Sequence, residues 1–154
     1  MSEVMRILDQ LTRAHEGGAW HGPALCEVLE GVTAEMAAAR PLPAAHGIWE
    51  IVLHVTTWEE VVRRRLEGET FEPSQAEDWP AVTDASAAAW TAALRRLADG
   101  NRALRATIAG FDETRLDAST AGTAQTAYVL MHGAIEHDLY HAGQIALLRK
   151  ARVR

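Results

Sequence analysis

Between residues 90 and 108 the chain places Trp90, Leu94, Leu97, Asn101, Leu104 and Ile108 at steps of 4, 3, 4, 3 and 4. Only an α-helix gathers positions so spaced onto one stripe, whereas a strand would scatter them over both faces. A stripe of that length must be covered by other helices, and the sequence supplies them. Val4, Ile7, Leu8 and Leu11 follow Ser2, a good N-cap, and this helix weakens at Gly17-Gly18. Residues 47–67 carry Ile48, Ile51, Val52, Val55, Trp58, Val62 and Leu66 inward, and Gly68 stops them. A last helix from about Thr123 to Arg152 carries the stripe Leu130, Ala134, His137, His141, Ile145 and Leu148. Thr83 or Asp84 is the expected cap of the helix through Trp90, and Gly110 ends it.

Shorter pieces lie between. Gly22-Pro23 opens one with Leu25, Val28 and Leu29 inward, and Thr33–Arg40 forms another, ended by Pro41 and Pro43. Residues 69–82 hold Pro73, Pro80 and several acids and read as a crossover loop, pinned to the body by Phe71 and Trp79. Four amphipathic helices in 154 residues predict an all-α four-helix bundle forming one domain over residues 1–154. The apolar share of 48%, much of it alanine, suits a packed helical core.

Charge narrows the function. The formal net charge is −6, against phosphate-backbone binding. Arg63, Arg64 and Arg65 fan out by about 100° each on a helix and make no patch. Arg149, Lys150, Arg152 and Arg154 cluster where cations suit a helix C-terminus. The N-terminus is not a signal peptide and no stretch is apolar enough to span a membrane, so a cytoplasmic protein with no nucleic-acid or membrane partner is expected. Cys26, the single cysteine, sits among Leu25, Val28 and Leu29 and is expected to be a small buried residue.

The histidines carry the chemistry. His137 and His141 are one turn apart on the core-facing stripe, so two imidazoles can reach one ion. His54 lies near the inward face of the 47–67 helix, between Leu53 and Val55. A single core-facing histidine is ordinarily a hydrogen-bonded core residue; three of them, from two helices, point to a metal site. Three protein ligands leave coordination positions open, as catalytic sites do, and imidazole ligation suits Zn²⁺, Ni²⁺ or Fe²⁺. His132 is too far round the helix to join them.

Around these, Gln144 shares their face and either orients a bound molecule or is a polar core residue. Asp138 gives HDLYH the spacing of the H-E-x-x-H motif with Asp in place of Glu, which fits a general base or a supporting or surface residue. Tyr140 either hydrogen-bonds near the site or packs, Trp58 walls the pocket, and His21 lines its entrance or sits in a surface turn. Glu59 and Glu136 are acidic options for a fourth ligand.

The run GIWEIVLHVTTWEEVVRRRLEGE, with WHGPAL and RPLPAAHGIWE before it and AIEHDLYHAGQIALLRK near the C-terminus, resembles the DinB/YfiT-like superfamily over nearly the whole chain. The resemblance implies an up-down-down-up four-helix bundle with a long crossover, and a homodimer. It implies a metal-ligand triad that falls on His54, His137 and His141. It also implies a small-molecule thiol and an electrophile as partners, since characterised relatives transfer low-molecular-weight thiols or use one to isomerise maleylpyruvate. The leading expectation is a metal-dependent thiol S-transferase using Zn²⁺ or Ni²⁺, with Gln144 and Tyr140 positioning the electrophile. A metal-dependent hydrolase with Asp138 as base, and a non-enzymatic metal-binding dimer, are the alternatives.

Overall fold

The computed structural model describes residues 1–151, so Arg152 and Arg154 of the expected C-terminal basic cluster lie outside the described residues. Four long helices carry the fold: α1 (Glu3–His15), α4 (Ile48–Leu66), α6 (Ala87–Ala109) and α7 (Ala127–Ala151). Short helices α2 (Leu25–Leu29), α3 (Ala34–Ala38) and α5 (Gln75–Asp78) fill the connections, and among the described residues there is no β-strand beyond an isolated Ser119–Thr126 bridge.

The long helices form a ring in which α1 touches α6 and α7, and α4 touches the same two. Directions follow from the contacts. Asn101 meets Glu59 and Thr107 meets Glu67, so α4 and α6 run parallel. His137 and His141 meet His54 while Leu130 and Ala134 line a crevice with Val62 and Arg65, so α7 runs antiparallel to α4. The bundle is up-down-down-up, with residues 67–86 as the crossover that parallel neighbours require.

The helix ends show why these segments fold where they do. Ser2 Oγ accepts the Met5 N–H at 3.3 Å. α4 starts where the Glu50 carboxylate accepts the Gly47 N–H at 2.8 Å. At Gly47 a Cβ would come 3.0 Å from the Ala39 carbonyl oxygen, so glycine permits this close approach of the α3–α4 link. Two expected boundaries move. The cap of α6 is Ser86, whose Oγ accepts the Ala89 N–H at 3.2 Å, because Asp84 Oδ1 is already bound to the Ser86 N–H at 2.8 Å. α7 begins four residues later than expected, at Ala127. The Ala127 and Tyr128 N–H groups donate to the Ala118 and Leu116 carbonyls, which ties residues 118–126 into a turn instead of a helical first turn.

The crossover is more ordered than a plain loop. Ser74 and Glu77 make a reciprocal cap that nucleates α5, a sequence signal the proline-rich surroundings obscure. Arg65, buried on α4, donates to the Phe71 carbonyl and to the Glu72 carboxylate, and Phe71 lies under the Arg64 guanidinium at 3.9 Å.

The apolar core comes in two parts. One contains Leu25, Trp49, Val52, Val55, Trp90, Leu97 and Ile145; the other contains Ile7, Leu11, Val62, Leu66, Leu104, Ile108, Leu130 and Met131. Between them the buried positions are polar on every long helix: His15, Glu59, Asn101 and Asp138. Cys26 is exposed, contrary to expectation. α2 buries Leu25, Val28 and Leu29, and Cys26 lies off that narrow stripe by about one residue's turn.

Candidate metal centre

α4 and α7 pack antiparallel so that three imidazoles converge. His137 Nε2 lies 3.1 Å from His54 Nε2 and 3.1 Å from His141 Nε2. His54 and His141 are buried, and His137 stands half-buried at the edge of the α7 stripe. Each of the two buried rings is held through its other nitrogen. His54 Nδ1–H donates to the Asp78 carbonyl at 2.8 Å, an oxygen that can only accept, and Asp78 Oδ1 is 3.0 Å from the same nitrogen. His141 Nδ1–H donates to Gln144 Oε1 at 2.7 Å. With the protons on Nδ1, the neutral rings turn bare Nε2 lone pairs toward His137.

This arrangement fits a metal ion better than it fits a dry core. Donor atoms around an ion at about 2.0–2.1 Å sit about 3.0–3.4 Å apart, depending on geometry, and the 3.1 Å separations fall there. Outer hydrogen bonds that fix the tautomer of ligating histidines are the usual companion of such sites. Burial keeps the rings neutral. His137 is pushed down to about 3 by burial and by the neighbouring His141 and His54. His141 is lowered to about 4, chiefly by burial, and His54 is lowered for the same reason.

A cavity of about 690 Å³ opens over the three rings. Its walls include Leu42, Ile51, Trp58, Trp79, Tyr140 and Leu147, with Gln144 beside His141. Trp79 is the structural centre of one wall: it stacks on His54 at 3.8 Å and on His46 at 3.7 Å, its plane nearly parallel to both. Trp58 Nε1–H donates to Asp78 Oδ1 at 2.6 Å, so Asp78 ties the crossover, Trp58 and His54 together. Asp78 and Trp79 went unnoticed as site residues in the sequence, because their proximity to His54 depends on how the crossover folds back.

The other candidates divide. Tyr140 is largely exposed at the rim, its ring 5.1 Å from that of His141. His21 and Trp20 are exposed and do not line this cavity, and Glu136 is exposed. Neither Glu59 nor Asp138 lines it. Both are fully buried beside His15, whose Nδ1 is 3.4 Å from Glu59 Oε1 and 3.6 Å from Asp138 Oδ2. A surface role for Asp138 is thereby excluded: it follows Ala134 by four residues and precedes His141 by three, so it faces the core. Burial pushes the carboxyls of Glu59 and Asp138 up. His15, which burial alone would lower, is raised to about 11 by Asp138, the Cys26 thiol and Glu59. His15 escaped the sequence reading, although it continues the Leu11 stripe by one turn.

The chain matches the DinB superfamily over residues 9–145, and it belongs to that family. No curated protein and no solved structure matches it. Among the described residues no helix is long and apolar enough to cross a membrane.

Proposed function

We propose that His54, His137 and His141 hold one divalent ion, Zn²⁺ or Ni²⁺, and that the protein is a metal-dependent transferase joining a low-molecular-weight thiol to a small electrophile. The observation that carries the reading is the convergence of three Nε2 atoms on the floor of an open, mostly apolar cavity. A divalent ion held there supplies Lewis acidity, which favours the thiolate form of a bound thiol near neutral pH.

The chain's own residues do the rest. Leu42, Ile51, Trp58 and Leu147 give an electrophile an apolar seat and shed water from it. Gln144 spends its carbonyl oxygen on His141, which leaves its amide N–H groups as donors for a bound molecule. Tyr140 offers a phenol at the rim. In the transfer a C–S bond forms as the leaving group departs with its electron pair, and the thiol proton passes to solvent.

Hydrolysis with Asp138 as base fits less well. That carboxylate belongs to the buried His15–Glu59 group, and the one acid lining the cavity, Asp78, is engaged by His54 and Trp58. The exposed Val129, Tyr140 and Leu147 of α7 offer an apolar face to a second copy, supporting a homodimer. The test is consumption of a chlorinated arene by zinc- or nickel-loaded protein with a panel of small thiols. Thiol-dependent turnover lost in His54→Ala is expected; a loaded protein inert with every thiol would leave only the metal-binding role.

A further inference from the structure

The polar layer that divides the core takes one residue from each long helix. On α4 the buried seam reads Ile48, Val52, Val55, Glu59, Val62 and Leu66, on α7 Met131, Ala134, Asp138, His141 and Ile145, and on α6 Leu97, Asn101 and Leu104. Each seam keeps its 3- and 4-residue steps through the polar residue, so these side chains occupy positions where a bundle ordinarily puts leucine. α1 ends its own seam on His15 at the same level.

A layer built only for hydrogen bonding would be satisfied, and this one is not. His15 Nδ1, Glu59 Oε2, both oxygens of Asp138 and Asn101 Oδ1 are buried without a hydrogen-bond partner. The one bond present runs from Asn101 Nδ2 to Glu59 Oε1 at 2.7 Å and fixes that carboxylate. A protonated His15 offsets only one of the two carboxylates, and the negative charge left over, among side chains at most 3% exposed, is costly in an apolar core unless something compensates it. The spacing says what would. The 3.4 and 3.6 Å separations lack hydrogen-bond geometry, but ligands at about 2.0–2.2 Å around a tetrahedral ion lie about 3.3–3.6 Å apart.

We propose that His15, Glu59 and Asp138 form a second divalent-cation site inside the bundle, separate from the three histidines, with Asn101 as the residue that positions Glu59. One dipositive ion, two carboxylates and a neutral imidazole sum to zero charge, so the ion takes the place of the proton that the two carboxylates favour on His15 and removes the negative charge left over. The donor set of one nitrogen and two oxygens is harder than three imidazoles and suits Zn²⁺, Mn²⁺ or Fe²⁺. A crevice of about 400 Å³ reaches His15 past Cys26, and the exposed Glu27 and Glu30 among its lining residues favour cations there. The site ties all four long helices, so its occupation stabilises the fold without requiring the open cavity.

The experiment is Zn²⁺ binding to the full chain with the three-histidine group disabled, His54→Ala with His137→Ala, scored as ions per chain and as the shift of thermal unfolding on loading. One ion per chain and a raised unfolding temperature are expected, both lost on adding Asp138→Asn, which keeps shape while removing charge. Absorption of the Co²⁺-loaded form of the same double variant adds a readout that leaves the layer untouched, and a ligand-field spectrum unlike that of a three-imidazole site is expected. No ion bound by the double variant would overturn the proposal. So would an ion that survives both Asp138→Asn and His15→Gln, since it would lie elsewhere. Failure of the three-histidine reading is distinguishable: it would remove thiol chemistry while leaving this ion in place.

Discussion

Replacing Gln144 by leucine should loosen the metal without unfolding the bundle. The side chain is half-buried on α7, where its Oε1 accepts the 2.7 Å bond from His141 Nδ1–H. Leucine keeps the volume, suits the helix and deletes the acceptor. His141 then loses the bond that holds its tautomer and ring angle, and a neutral hydrogen bond is worth about 0.5–1.5 kcal/mol net. Where such a bond orients a metal ligand, its removal costs about 10–100-fold in affinity, or roughly 1.4–2.7 kcal/mol. Solvent near a half-buried side chain can replace part of the bond, so the lower half of that range is expected. Competition with a zinc-binding dye would measure it, with Gln144→Glu as the control that retains an acceptor and should bind at least as tightly as the parent. If Gln144→Leu bound zinc as tightly as the parent, the claim that this bond sets His141 for coordination would be wrong.

Other perturbations test other links. The three site histidines have depressed folded-state values against an ordinary value of 6.5, so the folded apo chain resists protons that the unfolded chain accepts. Their contribution to stability is therefore present above about pH 6.5 and is lost as pH falls toward 4, and zinc should be retained at about pH 6 and released over that lower range. Half-release at or above pH 6.5, read by dialysis and metal analysis, would mean ordinary exposed imidazoles. Ser86→Ala should destabilise the chain by about 1 kcal/mol in urea while Thr83→Ala changes it by less than about 0.5, because Ser86 is the cap of α6. Trp79→Ala should strip the stacked wall from His54 and His46, speed proteolysis within 69–82 and weaken zinc binding; an unchanged cleavage rate would show that this stack does not hold the crossover.

The bundle was legible because its information is local. The 4-3-4-3-4 spacing through Trp90–Ile108 and the stripe through His137 and His141 hold wherever those helices pack. Phase alone also put His54 toward the core, and antiparallel packing of α4 on α7 brought it to the other two. What depends on distant partners was not legible. Asp78 and Trp79 reach His54 through a crossover whose path is set by Arg65, Phe71 and Glu72. The start of α7 falls later than its sequence pattern suggests because the Ala118 and Leu116 carbonyls take its first N–H groups. The polar layer was hidden by the expectation that charged residues face water. Trp58 fits the apolar stripe by type but is only half-buried, and the fully buried seam passes through Glu59. Reading each seam for its exceptions, and not only for its leucines, would have found His15, Glu59, Asn101 and Asp138 together.

The most direct measurement is anomalous diffraction at the zinc absorption edge from crystals of the zinc-loaded protein. The account predicts a peak about 2.0–2.1 Å from Nε2 of His54, His137 and His141, with Asp78 and Gln144 still on the opposite ring nitrogens. Full zinc loading with no peak among those three atoms would contradict it.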